Sequence, residues 1–385
     1  MELLPNQNHH FDIPDDVIYL NAATMGPLPV SAVEAGTYGL RRKLHPWGIT
    51  SEDFFADSER IRPKLARLIN GDTEGIAICP SASYGLATAA QNLAINPGQS
   101  VLILDDQFPS NVYTWRTAAK KVGATVRTVG SENSNTPLSG RLLEAIDETT
   151  AVIACGQVRW TDGARIDLEA VGKRAREVGA ALVVDLSQSC GALAFDVERV
   201  KPDFLVCVGY KWLLGPYSLG FMYAAEQHRN GHPLEQNWIS RHGSEDFTRL
   251  TDYQDEYAPG ATRFDMGERS NFALLPALEA AVDLILEWGV DRIEATLAVK
   301  NRALCEKLAE IGLATPIETE RGAHYVGATL PESSPVDLVK RLSRRNIHVS
   351  QRAHCLRVTQ HLYNSADHID QFIDALSAEL ALESV

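Results

Sequence analysis

The runs ALVVDLSQSCGA (residues 181–192) and FLVCVGYKWLLGP (204–216) carry the reading of the fold. Each opens on a continuous apolar stretch rich in Val and Leu, then breaks into Gly and polar residues. That is the pattern of a strand buried on both faces of a parallel sheet. Asp185 closes the first stretch and Lys211 follows the second. Both are expected just beyond the carboxyl ends of their strands, the edge at which doubly wound sheets gather ligands.

Outward from this pair the pattern repeats. GIAICP (75–80), SVLILDD (100–106), TVRTVG (125–130), AVIACG (151–156) and LGFMYAA (219–225) read as further strands. Between them, PSNVYTWRTAAKKVG (109–123) and DLEAVGKRAREVGA (167–180) place apolar residues at helical spacing and end near a Gly. Strands alternating with helices predict an α/β domain with a mostly parallel, seven-stranded sheet. Residues 226–270 are polar, aromatic and irregular, as in a long connection that carries binding residues. NFALLPALEAAVDLILEWGVDRI (271–293) reads as one long, largely buried helix that bridges two domains. A surface helix (297–312), strands near 322–329, 346–350 and 355–359, and a closing helix (367–381) predict a smaller α+β domain. The expected division is an amino-terminal arm (1–30), a large domain (31–270), and an interdomain helix with the small carboxyl-terminal domain (271–385).

At 385 residues, 45% hydrophobic and 22% charged, the composition is that of an ordinary globular enzyme large enough for two domains. The formal charge of −14 argues against a nucleic-acid surface, which needs clustered Lys and Arg. No apolar run has the length of a membrane span. The amino terminus shows no basic segment followed by an apolar one, so a secretory signal is not expected. Six cysteines without a CxxC pair read as reduced thiols of a cytoplasmic protein. His9 and His10 lack partners at metal-site spacing, and no metal is expected. No GxGxxG follows a strand, which disfavours a nicotinamide dehydrogenase.

An Asp at a strand end commonly caps a turn, and a Lys there is commonly solvated. As a pair they suit pyridoxal 5′-phosphate (PLP). A carboxylate beside the pyridine nitrogen keeps it protonated, and a lysine holds the aldehyde as a Schiff base and is freed to move protons. Upstream, CPSASYGLATAAQNL (79–93) runs from a strand through a Ser-containing turn into a helix. Its unpaired backbone N–H groups and positive helix end form an anion site.

The motifs SASYG, DDQFPSN, VVDLSQSCGA, VGYKWLLGP, RFDMGERSN and LRVTQHLYNSADHID, with YLNAATMGPLP (19–29), resemble the class V aminotransferase group of fold type I PLP enzymes. That group includes cysteine desulfurases, selenocysteine lyases, kynureninase and isopenicillin N epimerase-like proteins. The resemblance covers nearly the whole chain. It implies a homodimer with active sites at the subunit interface, with 226–270 and HPWGIT (45–50) as candidate interface segments. It also implies roles residue by residue. The Ala82 amide and Ser83 would bind phosphate, Phe108 would stack on the ring, and Asp185 would pair with the pyridine nitrogen. Gln188 would hydrogen-bond the phenolic oxygen or imine region, Tyr210 would reach the phosphate, and Lys211 would be the catalytic residue. Arg357 would grip the substrate α-carboxylate with its planar fork.

Two positions depart from the pattern. Glu268 stands where relatives often have a Thr that reaches a phosphate, so it is expected to point away or to pair with Arg269 or Arg263. Trp160 stands where desulfurases often have Asn, which implies an altered pocket floor. Cys355, two residues from Arg357, reads as a wall thiol and not a mobile nucleophile. The leading expectation is therefore a cysteine-desulfurase-like C–S lyase that works by β-elimination on an amino-acid substrate, without a persulfide-forming cysteine. An aminotransferase or an amino-acid epimerase is the enzymatic alternative. A non-catalytic PLP-binding protein is the alternative of another class, disfavoured by the joint presence of Asp185, Lys211 and Arg357.

Overall fold

A computed structural model describes residues 2–130 and 136–381. In chain order its strands are β1 (Ile18–Tyr19), β2 (Ile76–Cys79), β3 (Ser100–Leu104), β4 (Thr125–Val129), β5 (Thr150–Gly156), β6 (Ala181–Asp185), β7 (Phe204–Val208), β8 (Gly220–Ala224), β9 (Val326–Thr329), β10 (Ile347–His348), β11 (Ser350–Arg352) and β12 (Cys355–Val358). Strands β2 to β8 form one sheet in the order β2-β8-β7-β6-β5-β3-β4. Strand β8 runs antiparallel to both its neighbours, and the remaining pairs are parallel. The mostly parallel seven-stranded sheet read from the apolar runs is therefore observed.

Side chains alternate across this sheet as a period of two requires. Leu182, Val184, Leu205 and Cys207 enter one apolar cluster. Val183, Phe204 and Val206 enter another on the opposite face. Helices cover both faces, which is why the strands are apolar at nearly every position. Both Gly-terminated helices are present, Ser110–Val122 and Leu168–Val178, with Gly123 and Gly179 in left-handed geometry as their caps.

The predicted single helix over 271–293 is corrected. Leu274–Trp288 and Val290–Glu310 are separate helices, broken at Gly289, whose φ is +81°. The apolar period runs through this position, and only the conformational freedom of glycine marks the break. Beyond it, β9, β11 and β12 form an antiparallel sheet in the order β11-β12-β9, over a third apolar cluster that includes Leu356 and Val358. Residues near the amino terminus join that cluster: β1 pairs with β10, and Leu20 packs with Val326 and Val349. Among the described residues no helix is long and apolar enough to cross a membrane.

Candidate active site

Asp185 is the last residue of β6, and its carboxylate accepts the Ser187 amide at 2.9 Å. Lys211 lies three residues past β7, only 8% exposed. Its Nζ stands 5.5 Å from the centre of the Phe108 ring and 5.6 Å from that of Tyr210. It makes no hydrogen bond or ion pair among the described residues. Burial lowers its pKa from the ordinary lysine value; Asp185 opposes the shift, and Arg357 and Arg352 add to it, leaving the group at about 8.

The chain reaches this lysine from behind through Gly26, whose amide donates to the Tyr210 carbonyl at 2.8 Å. A Cβ at Gly26 would lie 2.2 Å from the Lys211 carbonyl oxygen. This explains the glycine in ATMGPLP: two backbones touch there, and no side chain fits.

A small cleft is lined by Ala82, Phe108, Trp160, Asp185, Gln188, Tyr210 and Lys211, together with Gln107 and Ser187. Six of the eight expected site residues thus share one cavity. A wider groove of about 1110 Å³, lined by Arg67, Arg165 and Glu294 among others, lies elsewhere and contains none of them. Size does not select the site; the buried amine and the strand ends do.

Ser83 and Arg357 are not in the lining. Ser83 is exposed at the start of the helix Ala82–Asn92, its hydroxyl donating to Ser110 Oγ at 2.8 Å. The amides of Ala82 and Ser83 have no acceptor among the described residues, while Ser81 caps the helix by accepting from the Tyr84 amide. Arg357 is 1% exposed behind Trp160, its guanidinium carbon 5.8 Å from the indole centre. Its nitrogens donate to Ser350 Oγ (2.9 Å), the Trp160 carbonyl (3.0 Å) and Thr24 Oγ1 (2.6 Å).

Two side chains that hold the expected ones, Trp212 and Gln107, escaped the sequence reading, and Trp160 was read only as an altered pocket floor. Gln188 donates to the Ala23 carbonyl at 3.1 Å and accepts from Trp212 Nε1 at 3.2 Å, so its amide is clamped from both ends. Gln107 Oε1 accepts the Phe108 amide at 2.9 Å. Trp160 donates to the Asp106 carbonyl at 2.5 Å and meets Phe108 edge to face, 5.4 Å between centres. The adjacency of Gln107 to Phe108 and of Trp212 to Lys211 was the available signal. Glu268 is exposed and pairs with neither Arg269 nor Arg263. Arg269 is taken by Asp265 and Glu59, and Arg263 donates to Asn230 and the Gly231 carbonyl.

These donors suit an aromatic aldehyde bearing a phosphate. A carboxylate ends one wall, an unpaired amine stands in the cleft, a flat ring forms a side, and a helix amino terminus offers uncommitted N–H groups.

The aminotransferase class-V family model matches residues 23–372. The chain belongs to the class V aminotransferase family. It is 29% identical over 341 residues to a kynureninase from Deinococcus radiodurans, covering 83% of this chain and 80% of that one. A probable cysteine desulfurase from Methanothermobacter thermautotrophicus is 28% identical over 293 residues, or 74% of this chain and 70% of that one. Among solved structures, a complex of the cystine C–S lyase C-DES with cysteine persulfide superposes with a TM-score of 0.84 at 21% identity, covering 94% of this chain and 98% of that one. This family member is a PLP-dependent enzyme of the fold expected from its motifs.

Proposed function

We propose that the protein is a C–S lyase-like enzyme that removes a β-substituent from an amino acid, with Lys211 as cofactor-bearing and proton-carrying residue. The observation that carries this reading is the isolation of Lys211: buried, unpaired, titrating at about 8, and facing the cleft beside Asp185. When bound, PLP supplies an electron-withdrawing ring that takes up the electrons released as the substrate Cα loses its proton.

The chain's own residues divide the remaining work. The Ala82 and Ser83 amides and the Tyr210 hydroxyl bind the phosphate. Asp185 keeps the ring nitrogen protonated, Phe108 packs on the ring face, and Gln188 is held rigid to donate to its polar edge. Arg357 binds the substrate carboxylate. Lys211 Nζ, which sheds its proton more readily than an ordinary lysine, takes the Cα proton in its neutral form and delivers one to the departing group.

Cys355 does not supply a second nucleophile. Cys355 pairs with Thr329 on one side and Arg352 on the other within the small sheet, and burial pushes its thiol up to about 12. Incubation with S-substituted cysteines should release pyruvate and ammonia, and Cys355→Ala should retain that activity. Stoichiometric conversion of the cofactor to its amine form without pyruvate would replace elimination by transamination. Racemisation without ammonia would replace it by epimerisation.

The division into residues 1–30, 31–270 and 271–385 forms part of the proposal, supported by a separate apolar cluster beneath the small sheet. So does a homodimer. Tyr38, Leu44 and Trp47 are 73%, 67% and 82% exposed along one short segment, a concentration of apolar surface that a second copy would cover. A cytoplasmic setting is supported by four cysteines buried as free thiols.

A further inference from the structure

The mechanism above uses one arginine, yet two face Trp160. Arg352 places its guanidinium carbon 5.3 Å from the indole centre, and Arg357 stands at 5.8 Å. The small sheet arranges this. Ser350 lies opposite Arg357 and Arg352 lies opposite Cys355, so residues 350, 352, 355 and 357 share one face of the β11–β12 pair. Ser350 is spent on Arg357, whose Nε it accepts at 2.9 Å.

Arg352 has no comparable role. Its one hydrogen bond runs from Nη1 to the carbonyl of its neighbour Gln351. Neither Arg352 nor Arg357 forms an ion pair among the described residues. Trp160, which lines the cleft and packs against both arginines, is itself fixed through Asp106, and Arg159 is the cation that Asp106 and Asp162 face. The cleft lining carries one carboxylate, Asp185, against Lys211, and both arginines pack on Trp160, which also lines the cleft. Burial and the neighbouring Arg357 hold the Arg352 pKa below that of a free guanidinium, as happens where a cation lacks its counter-ion.

We infer that Arg352 binds a second anionic group on the substrate, so that the enzyme selects amino acids whose side chain ends in a carboxylate or a sulfinate. This rests on the active-site reading above, with Arg357 on the α-carboxylate. The distal acid then pairs with the Arg352 guanidinium beside the indole, and an amino acid with an apolar or neutral side chain leaves that partly buried guanidinium unpaired.

Titration calorimetry of the PLP-loaded enzyme with succinate and glutarate, against butyrate, tests this without turnover. At least one diacid should bind about tenfold or more tightly than butyrate, the gain of a charge-assisted pair. Arg352→Gln should bring that ratio towards one, and Arg352→Lys should keep part of it. Equal binding of diacids and butyrate by the parent enzyme overturns the inference, as does a preference that survives Arg352→Gln. A weakened PLP affinity in Arg352→Gln with an unchanged ratio would assign the arginine to the cofactor and also overturn it. Covalent loading is scored separately. If PLP is absent from Lys211, the underlying reading fails; if it is present and the diacids show no preference, only the Arg352 inference fails.

Discussion

Lys211 is useful because the fold denies it what an amine seeks. Its ammonium form is disfavoured first by burial; Asp185 opposes that shift, and Arg357 and Arg352 add to it. The consequence is a pH dependence whose sign is fixed. Proton removal needs the neutral amine, so kcat for elimination should rise with pH through about 8 and level off above it. A profile flat from pH 7 to 9 would mean that another group carries the proton. The arginines show how differently single residues read. Arg357 was legible because it sits in a motif; Arg352 was not, because nothing in NIHVSQRAHC says that a two-residue turn brings it beside Trp160.

At the scale of elements, the loop RFDMGERSN is anchored by charge and not by a phosphate. Asp265, wholly buried, accepts from Arg62 at 2.5 and 3.1 Å and from the Ile78 amide at 2.7 Å, and it also pairs with Arg269. It thereby ties the helix Asp53–Leu68 and strand β2 to the segment leading into the helix Leu274–Trp288. Asp265→Asn leaves two buried guanidinium groups short of their counter-ion and should destabilise the fold by about 3–5 kcal/mol, read as a lowered denaturation midpoint. A midpoint within error of the parent would show the cluster to be dispensable. Most of the seven strands were legible here because they are apolar on both faces and stop at Gly, Asp or Pro; the edge strand β4, TVRTV, was legible from its β-branched residues instead. Asp265 was not. Its motif was read for a phosphate contact, and an Asp between Phe and Met gives no sign of the distant Arg62 that meets it. The helix break at Gly289 was hidden for a related reason, since the apolar stripe continues past it.

For the whole molecule, an active site of this kind is maintained at a cost in stability. A lysine whose folded pKa is about 8 and whose ordinary value is 10.5 binds its proton more tightly in the unfolded chain. In the cofactor-free protein, stability is therefore fullest above pH 10.5, falls as pH drops through the folded value, and is reduced by on the order of 3 kcal/mol below it. Lys211→Met removes that term. At pH 7 the cofactor-free variant should melt above the parent, and the gap should close as pH rises past 10 in a series of thermal scans. A gap independent of pH would point to packing alone. The approach of the amino-terminal segment to the lysine through Gly26 places this cost at the carboxyl edge of the large sheet.

The central claim is tested most directly by finding where the cofactor is attached. Borohydride reduction of the PLP-loaded enzyme, followed by proteolysis and peptide mass spectrometry, should place the pyridoxyl group on Lys211 at about one per chain. A label on any other lysine, or none, would contradict the account.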